Sequence, residues 1–230
     1  MTRTRSKRYR EALQQVGEDR VKVEDAVKAL KAYPAAKFDE SVEVNFQLGI
    51  DPKQSTQVVR GTVSLPHGTG KTAKVLVFCR GEEARQAEEA GADYVGAEEL
   101  VTKVAGGWLD FDVVVAHPSM MKDISKLGKV LGPRGLMPSP KVGTVTPSIG
   151  KAVGEVKKGK IEFKSNKTAG LNVACGKISF SEEKLVENIK VVVKTIVDHK
   201  PTGAKGTYLH NVSVSTTMGP GVQLDVSSLT

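Results

Sequence analysis

The sequence predicts an α+β discontinuous domain with an inserted three-layer α/β domain, Rossmann-like and built on a parallel sheet. Three observations lead there. Residues 41–50 alternate apolar and polar, as a strand with one wet face does. Residues 73–158 read strand, helix, strand, helix, strand, helix, and two of these strands are apolar throughout, which suits a parallel sheet covered on both faces. From Lys160 the pattern reverts to hairpin strands around one long amphipathic helix.

The first 33 residues read as helical. Ala26, Val27, Leu30 and, less regularly, Tyr33 form an apolar stripe that Pro34 ends. In "FDESVEVNFQLGI", Val42, Val44, Phe46, Leu48 and Ile50 point one way, and "VVRGTVSL" is a second strand after the turn at "DPKQ". "AKVLVFC", "GADYV" and "FDVVVAH" are the strands of the middle section. They alternate with helices over "EEARQAEEA", "AEELVTKVA" and "SMMKDISKLGKVL". After the loop "GPRGLMPSPKVGTV", the segment "SIGKAVGEVKK" is helical. "KIEFKS" and "LNVACGKIS" flank the turn "NKTAG". "SEEKLVENIKVVVKTIVDHK" is one helix with Ser181 as N-cap and Leu185, Ile189, Val192 and Ile196 along one face. "GTYLHNVSVSTTMG" and "VQLDV" are closing strands.

The two flanks are alike in class and unlike the middle. Each is about 70 residues, marginal as a lone core, whereas together they make a normal domain. The expected division is therefore 1–67 with 160–230, and 68–159 inserted. The crossings fall near Pro66–Gly70 and Lys157–Lys160, and their glycines suit a hinge.

"HGTGKT" resembles the end of a phosphate loop, but the spacing excludes it. The first glycine of G-x-x-x-x-G-K-[ST] would fall at Leu65, and a strand rather than a helix follows Thr72. Cys79 and Cys175 lie in strand-like runs and are expected as buried thiols. Four scattered histidines give no metal spacing, so no metal or cofactor is expected. His117 reads as a loop histidine with no acid nearby in sequence. No apolar run approaches a membrane span, and "MTRTRSKRYR" lacks the apolar stretch of a signal peptide. The expected location is the cytoplasm.

The net charge of +8 favours a polyanionic partner, and its distribution says more. Residues 1–10 carry five basic groups and no acid; residues 81–112 carry nine acids against two basic groups; residues 119–160 carry nine basic groups against two acids. Charge sorted in this way suits one face for phosphates and another turned away. "GPRGLMPSPKVGTV" reads as a stiff exposed surface with Arg134 and Lys141 as secondary phosphate contacts. "STTMGPG" offers three hydroxyls (Ser215, Thr216, Thr217), an adaptable Met218, and Gly219 and Gly221 for close backbone approach. This combination suits ribose and phosphate recognition. With 5% aromatic residues, a base-stacking platform is not expected.

"KFDESVEVNFQLGID", "RGTVSLPHGTGK", "LGPRGLMPSPKVGTV", "GKIEFKSNKTAGLNVACGK", "KPTGAKGTYL" and "STTMGPGV" together resemble, in order and over nearly the whole chain, the family of the first ribosomal protein of the large subunit in its bacterial form. The resemblance implies a non-enzymatic stalk protein of the large subunit. Its discontinuous domain would bind 23S rRNA, its stalk would help release tRNA from the exit site, and the free protein would repress translation of its own operon mRNA. Carried over by position, the rRNA surface comprises Lys37, Phe38, Ser41, Ser165, Asn166, Lys167, Thr168, Ser215, Thr217, Met218 and Gly219. Departures from the family pattern fall at Ser41, where Thr is common, at Asn166, where Asp is common, and at His210. Two other readings compete: an enzyme using a nucleotide in the inserted domain, and a DNA-binding regulator.

Overall fold

A computed structural model describes residues 6–17, 19–34, 36–54 and 56–226. Part of the basic N-terminal run, residues 1–5, lies outside the described residues. The elements in chain order are α1 (Lys7–Gln15), α2 (Val23–Ala32), β1 (Ser41–Leu48), β2 (Arg60–Ser64), β3 (Val75–Phe78), α3 (Glu82–Glu89), β4 (Tyr94–Gly96), α4 (Glu98–Ala105), β5 (Val113–Ala116), α5 (Met121–Ser125), α6 (Gly128–Leu131), α7 (Ile149–Lys157), β6 (Lys160–Lys164), β7 (Gly170–Lys177), α8 (Glu182–Asp198), β8 (Leu209–Thr216) and β9 (Val222–Gln223). Short 3-10 turns cover Pro118–Met120 and Pro140–Val142. The chain divides into two compact units, Met1–Gly70 with Glu162–Thr230, and Lys71–Ile161.

In the first unit a four-stranded sheet runs β7-β1-β8-β9. β1 is antiparallel to both neighbours, with Phe46 opposite Leu171 on one side and Val212 on the other. The alternation of residues 41–50 is realised directly: Val42, Val44, Phe46 and Leu48 are buried. α8 lays Leu185, Ile189, Val192 and Ile196 into the core, and Ser181 caps it by accepting from the Lys184 N–H at 3.5 Å. β2 pairs with β6 in a separate two-stranded sheet.

In the second unit all strands are parallel, in the order β4-β3-β5. β3 is buried at every position, and its alternate side chains serve two cores. Leu76 and Phe78 pack with Leu100 and Val104 of α4 and Ile124 of α5, whereas Val75 and Val77 pack with Ala87 of α3 and Val153 of α7. This is why "AKVLVFC" has no polar face. The expected single helix over "SMMKDISKLGKVL" is broken into a 3-10 turn, α5 and α6. The ladder tightens at Lys126 and Leu127, whose N–H groups reach back three residues to Asp123 and Ile124. Ser125 also turns its hydroxyl onto the Met121 carbonyl. The loop "GPRGLMPSPKVGTV" is less exposed than its composition suggested: Pro138 and Val142 are buried, and Leu136 and Met137 pack on the core. Both cysteines are buried free thiols. Burial pushes Cys79 up to about 11 and Cys175 up to about 12, so neither is a ready nucleophile at neutral pH. Among the described residues, no helix is long and apolar enough to cross a membrane.

"HGTGKT" is held from below by Asn188, a fully buried residue in the middle of α8. Its Oδ1 accepts from the His67 N–H at 3.2 Å, and its Nδ2 donates to the Gly68 carbonyl at 3.1 Å and the Cys175 carbonyl at 2.7 Å. Truncating Asn188 strands these backbone groups. We expect Asn188→Ala to lower unfolding stability by about 1–3 kcal/mol. Asn188→Asp should do no better, because a carboxylate donates to neither carbonyl. Chemical denaturation of the purified variants reads both.

Candidate nucleic-acid interface

Cross-strand neighbours in an antiparallel sheet share a face, so the register of β1 defines the sheet's outer surface. Ser41 lies beside Lys177; Glu43 beside Ala174 and Ser215; Asn45 beside Asn172 and Ser213; Gln47 beside Gly170 and Asn211. These side chains oppose the buried Val42, Val44, Phe46 and Leu48. The face is rich in amides and hydroxyls, with Glu43 as its acid and Lys177 at its end. Over the eight residues of β1 it extends roughly 20–25 Å at about 3.3 Å per residue.

One end of this face carries the turn after β8. Thr217 donates its N–H to the Ser41 carbonyl at 3.0 Å, and its hydroxyl accepts from the Ser41 N–H at 3.0 Å. That clip uses part of the hydroxyl assigned to RNA from sequence. Ser41 Oγ in turn accepts from Lys177 Nζ at 2.9 Å, and Ser215 Oγ accepts from Asn45 Nδ2 at 3.0 Å. Thr216 is buried, so it is not the surface hydroxyl the sequence suggested. Gly219 needs its bareness: a Cβ there would stand 2.4 Å from Thr216 Oγ1. Met218 and Phe38, each 53% exposed, line one shallow groove together with Tyr33 and Gly219, and Lys37 is exposed beside them.

Beneath that turn lies Glu40, 5% exposed. Burial works to raise its carboxyl pKa. Bonds from the Met218 N–H, the Thr216 hydroxyl and Arg8 together outweigh this and hold the pKa below the ordinary value, so the group is ionised at neutral pH. A carboxylate lowered on folding contributes stability above the ordinary value of 4.5, and that contribution is lost as pH falls through the lowered value.

The other end of the face carries the hairpin between β6 and β7. Asn166 Oδ1 accepts from the Thr168 N–H at 2.9 Å, the Thr168 hydroxyl at 2.7 Å and the Gly170 N–H at 2.8 Å. These bonds hold Ala169 at φ +59, a conformation few non-glycine residues adopt. An Asp would accept the same three bonds, so the framing role survives the departure from the family pattern noted above. Lys167, Thr168 and Asn166 are exposed. Ser165 is buried, and its hydroxyl accepts from the Val59 N–H at 3.2 Å, so it frames the hairpin rather than facing outward.

Sequence reasoning assigned both ends and missed what joins them: Glu43, Asn45, Gln47, Asn172, Asn211 and Ser213. Several of these line a shallow depression with Asn166 and Thr168. The signal that could find them is the alternation of polar positions in residues 41–48 and 209–216.

The second unit carries Arg134 and Lys141, both exposed. His117 lies in the loop after β5, as expected, and folding brings it partners from elsewhere in the chain. α3 brings Glu83 to 3.8 Å from its Nε2, and Ser119 Oγ lies 2.7 Å from its Nδ1. The Ser119 N–H shares that ring nitrogen at 3.4 Å, so His117 caps the 3-10 turn that follows it. Among the described residues, no group of three or more His, Cys, Asp or Glu could hold a metal ion.

The first unit thus presents a polar sheet face framed by two exposed turns. Residues 30–220 match the model of the Ribosomal protein L1p/L10e family. The chain is 54% identical to the "Large ribosomal subunit protein uL1" of Persephonella marina (strain DSM 14350 / EX-H1) over 98% of this chain and 95% of that protein. The chain belongs to the Ribosomal protein L1p/L10e family: it is a ribosomal protein and not an enzyme.

The hairpin geometry sets a test. Amide exchange at Thr168 and Gly170 should quicken by about fivefold in Asn166→Ala, the effect of losing about 1 kcal/mol of local protection, and stay near native in Asn166→Asp. Hydrogen exchange resolved by residue measures it.

Proposed function

We propose that this chain is a structural protein of the large ribosomal subunit in the cytoplasm, and that it binds 23S rRNA through the outer face of the β7-β1-β8-β9 sheet and the turns at its two ends. The observation that supports this most is the pairing of Phe38 and Met218. Both are large apolar side chains left half exposed in one groove, beside a turn whose backbone is fully braced. Single apolar exposures need no explanation, but two together beside exposed Lys37 suit a partner with both sugar faces and phosphates. Between the ends, Asn and Ser side chains offer donors and acceptors to 2′-hydroxyls and base edges with little net charge.

In this reading Lys37, Phe38, Ser41, Ser215, Thr217, Met218 and Gly219 form one contact region and Asn166, Lys167 and Thr168 the other, with Ser165 as support. The units found in the structure, Met1–Gly70 with Glu162–Thr230 and Lys71–Ile161, would be a discontinuous rRNA-binding domain and an inserted Rossmann-like domain. The second domain would form a stalk that assists release of deacylated tRNA from the exit site, with Arg134 and Lys141 as secondary RNA contacts. Free protein would repress its own operon by binding an mRNA that presents a similar surface.

Binding to deproteinised 23S rRNA tests the site. Phe38→Ala with Met218→Ala removes no charge and disturbs no backbone bond, yet should weaken binding at least about tenfold, an effect equal to about 1.4 kcal/mol. Lys151→Ala with Lys158→Ala removes two exposed charges of the other unit and should cost less. The apolar defect should persist at raised salt, because screening does not reach it. The lysine pair being the more damaging at both salt concentrations would count against the assignment. The log–log salt slope of the native protein should be about 0.7–0.9 per phosphate contact.

The domain proposal has its own test. A chain joining residues 1–66 to 160–230 through a short Gly/Ser linker should fold and bind 23S rRNA near native strength. An unfolded product, or a folded one blind to rRNA, would refute it.

A further inference from the structure

A carboxylate with 5% exposure is costly unless every oxygen is matched, and Glu40 is matched from the two ends of the chain. Its Oε1 accepts from Arg8 Nη1 at 2.9 Å, and its Oε2 accepts from the Met218 N–H at 2.9 Å. The same guanidinium extends Nη2 to the Met218 carbonyl at 3.3 Å and Nη1 to the Pro34 carbonyl at 3.3 Å. Met218 is therefore gripped by its backbone on both sides, N–H by the acid and C=O by the base, while its side chain stays 53% exposed. Phe38, two residues before Glu40, is equally exposed. One ion pair thus ties α1, the segment leading into β1 and the turn after β8 into a single frame.

We propose that Arg8 and Glu40 are positioning residues for RNA recognition: they touch no RNA through Glu40, and they set the place of the Met218 side chain relative to Phe38 by clamping the Met218 backbone. This rests on the reading that Phe38 and Met218 belong to the rRNA surface. The geometry also separates positioning from bulk charge. Glu40 is an anion beside a surface that takes a polyanion. If it acted only through its field, neutralising it would tighten binding. As a clamp, neutralising it loosens the turn and weakens binding. Arg8→Lys separates them again, since Lys keeps the charge but lacks the fork that reaches Glu40 and the Met218 carbonyl together.

The experiment compares full-length native protein with Glu40→Gln, Arg8→Lys and the Phe38→Ala/Met218→Ala double variant. It reads equilibrium binding to deproteinised 23S rRNA at two salt concentrations, thermal unfolding, and amide exchange at Met218. Glu40→Gln and Arg8→Lys should each weaken binding about tenfold, the effect expected for losing a charge-assisted bond, with the salt slope unchanged. Exchange at the Met218 amide should quicken in both. Native or tighter binding by folded Glu40→Gln overturns the proposal, as does faster Met218 exchange without weaker binding. If Glu40→Gln does not fold, Arg8→Lys decides by the same readouts: native binding overturns the proposal and a tenfold loss at unchanged salt slope supports it. If the Phe38/Met218 variant itself binds like the native protein, the site assignment fails, which is a separate outcome from failure of the clamp.

Discussion

Strand β1 has two edges, and both are filled by strands that lie more than a hundred residues further along the chain. Its N–H and C=O groups are buried in the sheet interior and need partners there, which β7 and β8 supply. Everything else in the first unit follows from this pairing. The N-terminal helices have a core to cover only once β7, α8 and β8 have arrived. The outer face becomes continuous only when three strands lie side by side. The middle of the chain must leave and return between β2 and β6.

The same pairing divides polar side chains between framing and surface roles. Ser165, Asn166, Thr216, Thr217 and Glu40 have the chemistry of contact residues, and each puts hydrogen bonds into holding a turn in place. Of these, Ser165, Thr216 and Glu40 are buried, whereas Asn166 and Thr217 stay exposed, and the turns present them with Phe38, Met218, Lys37, Lys167 and Thr168 and with amides and hydroxyls between. A rigid surface of this kind loses little conformational entropy when it binds. In the proposed rRNA reading, such a surface would not need a stacking platform, in keeping with 5% aromatic residues.

The second unit obeys another constraint. Strands β3 and β5 are covered on both faces, so they are apolar throughout and the polar groups are pushed to helices and loops, while the edge strand β4 is half-buried. Asp93, Glu83 and Glu98 sit at such positions. The Asp93 carboxyl is held below its ordinary value mainly by its bond from Lys157. His117 met Glu83 for this reason: the loops after parallel strands converge at one end of the sheet, bringing together residues far apart in sequence.

By itself the sequence determined the type and order of most elements, though not the break between α5 and α6, together with the change of pattern at both crossings, the rejection of a phosphate loop in "HGTGKT", and the two turns at the ends of the sheet. These are local properties, carried by hydrophobic period, glycine and proline placement and motif order, and they need no partner from elsewhere in the chain. Only the tertiary structure decided which polar residues support and which are presented. Thr217 became a clip because Ser41 lies beside it, Ser165 turned inward because Val59 does, and Glu40 was buried because Arg8 and the Met218 amide could meet it. The Asn and Ser positions joining the two turns became one surface through strand register. Hydrogen-bond partners distant in sequence leave no periodic trace, so their pairing is settled only when the strands that carry them are brought together.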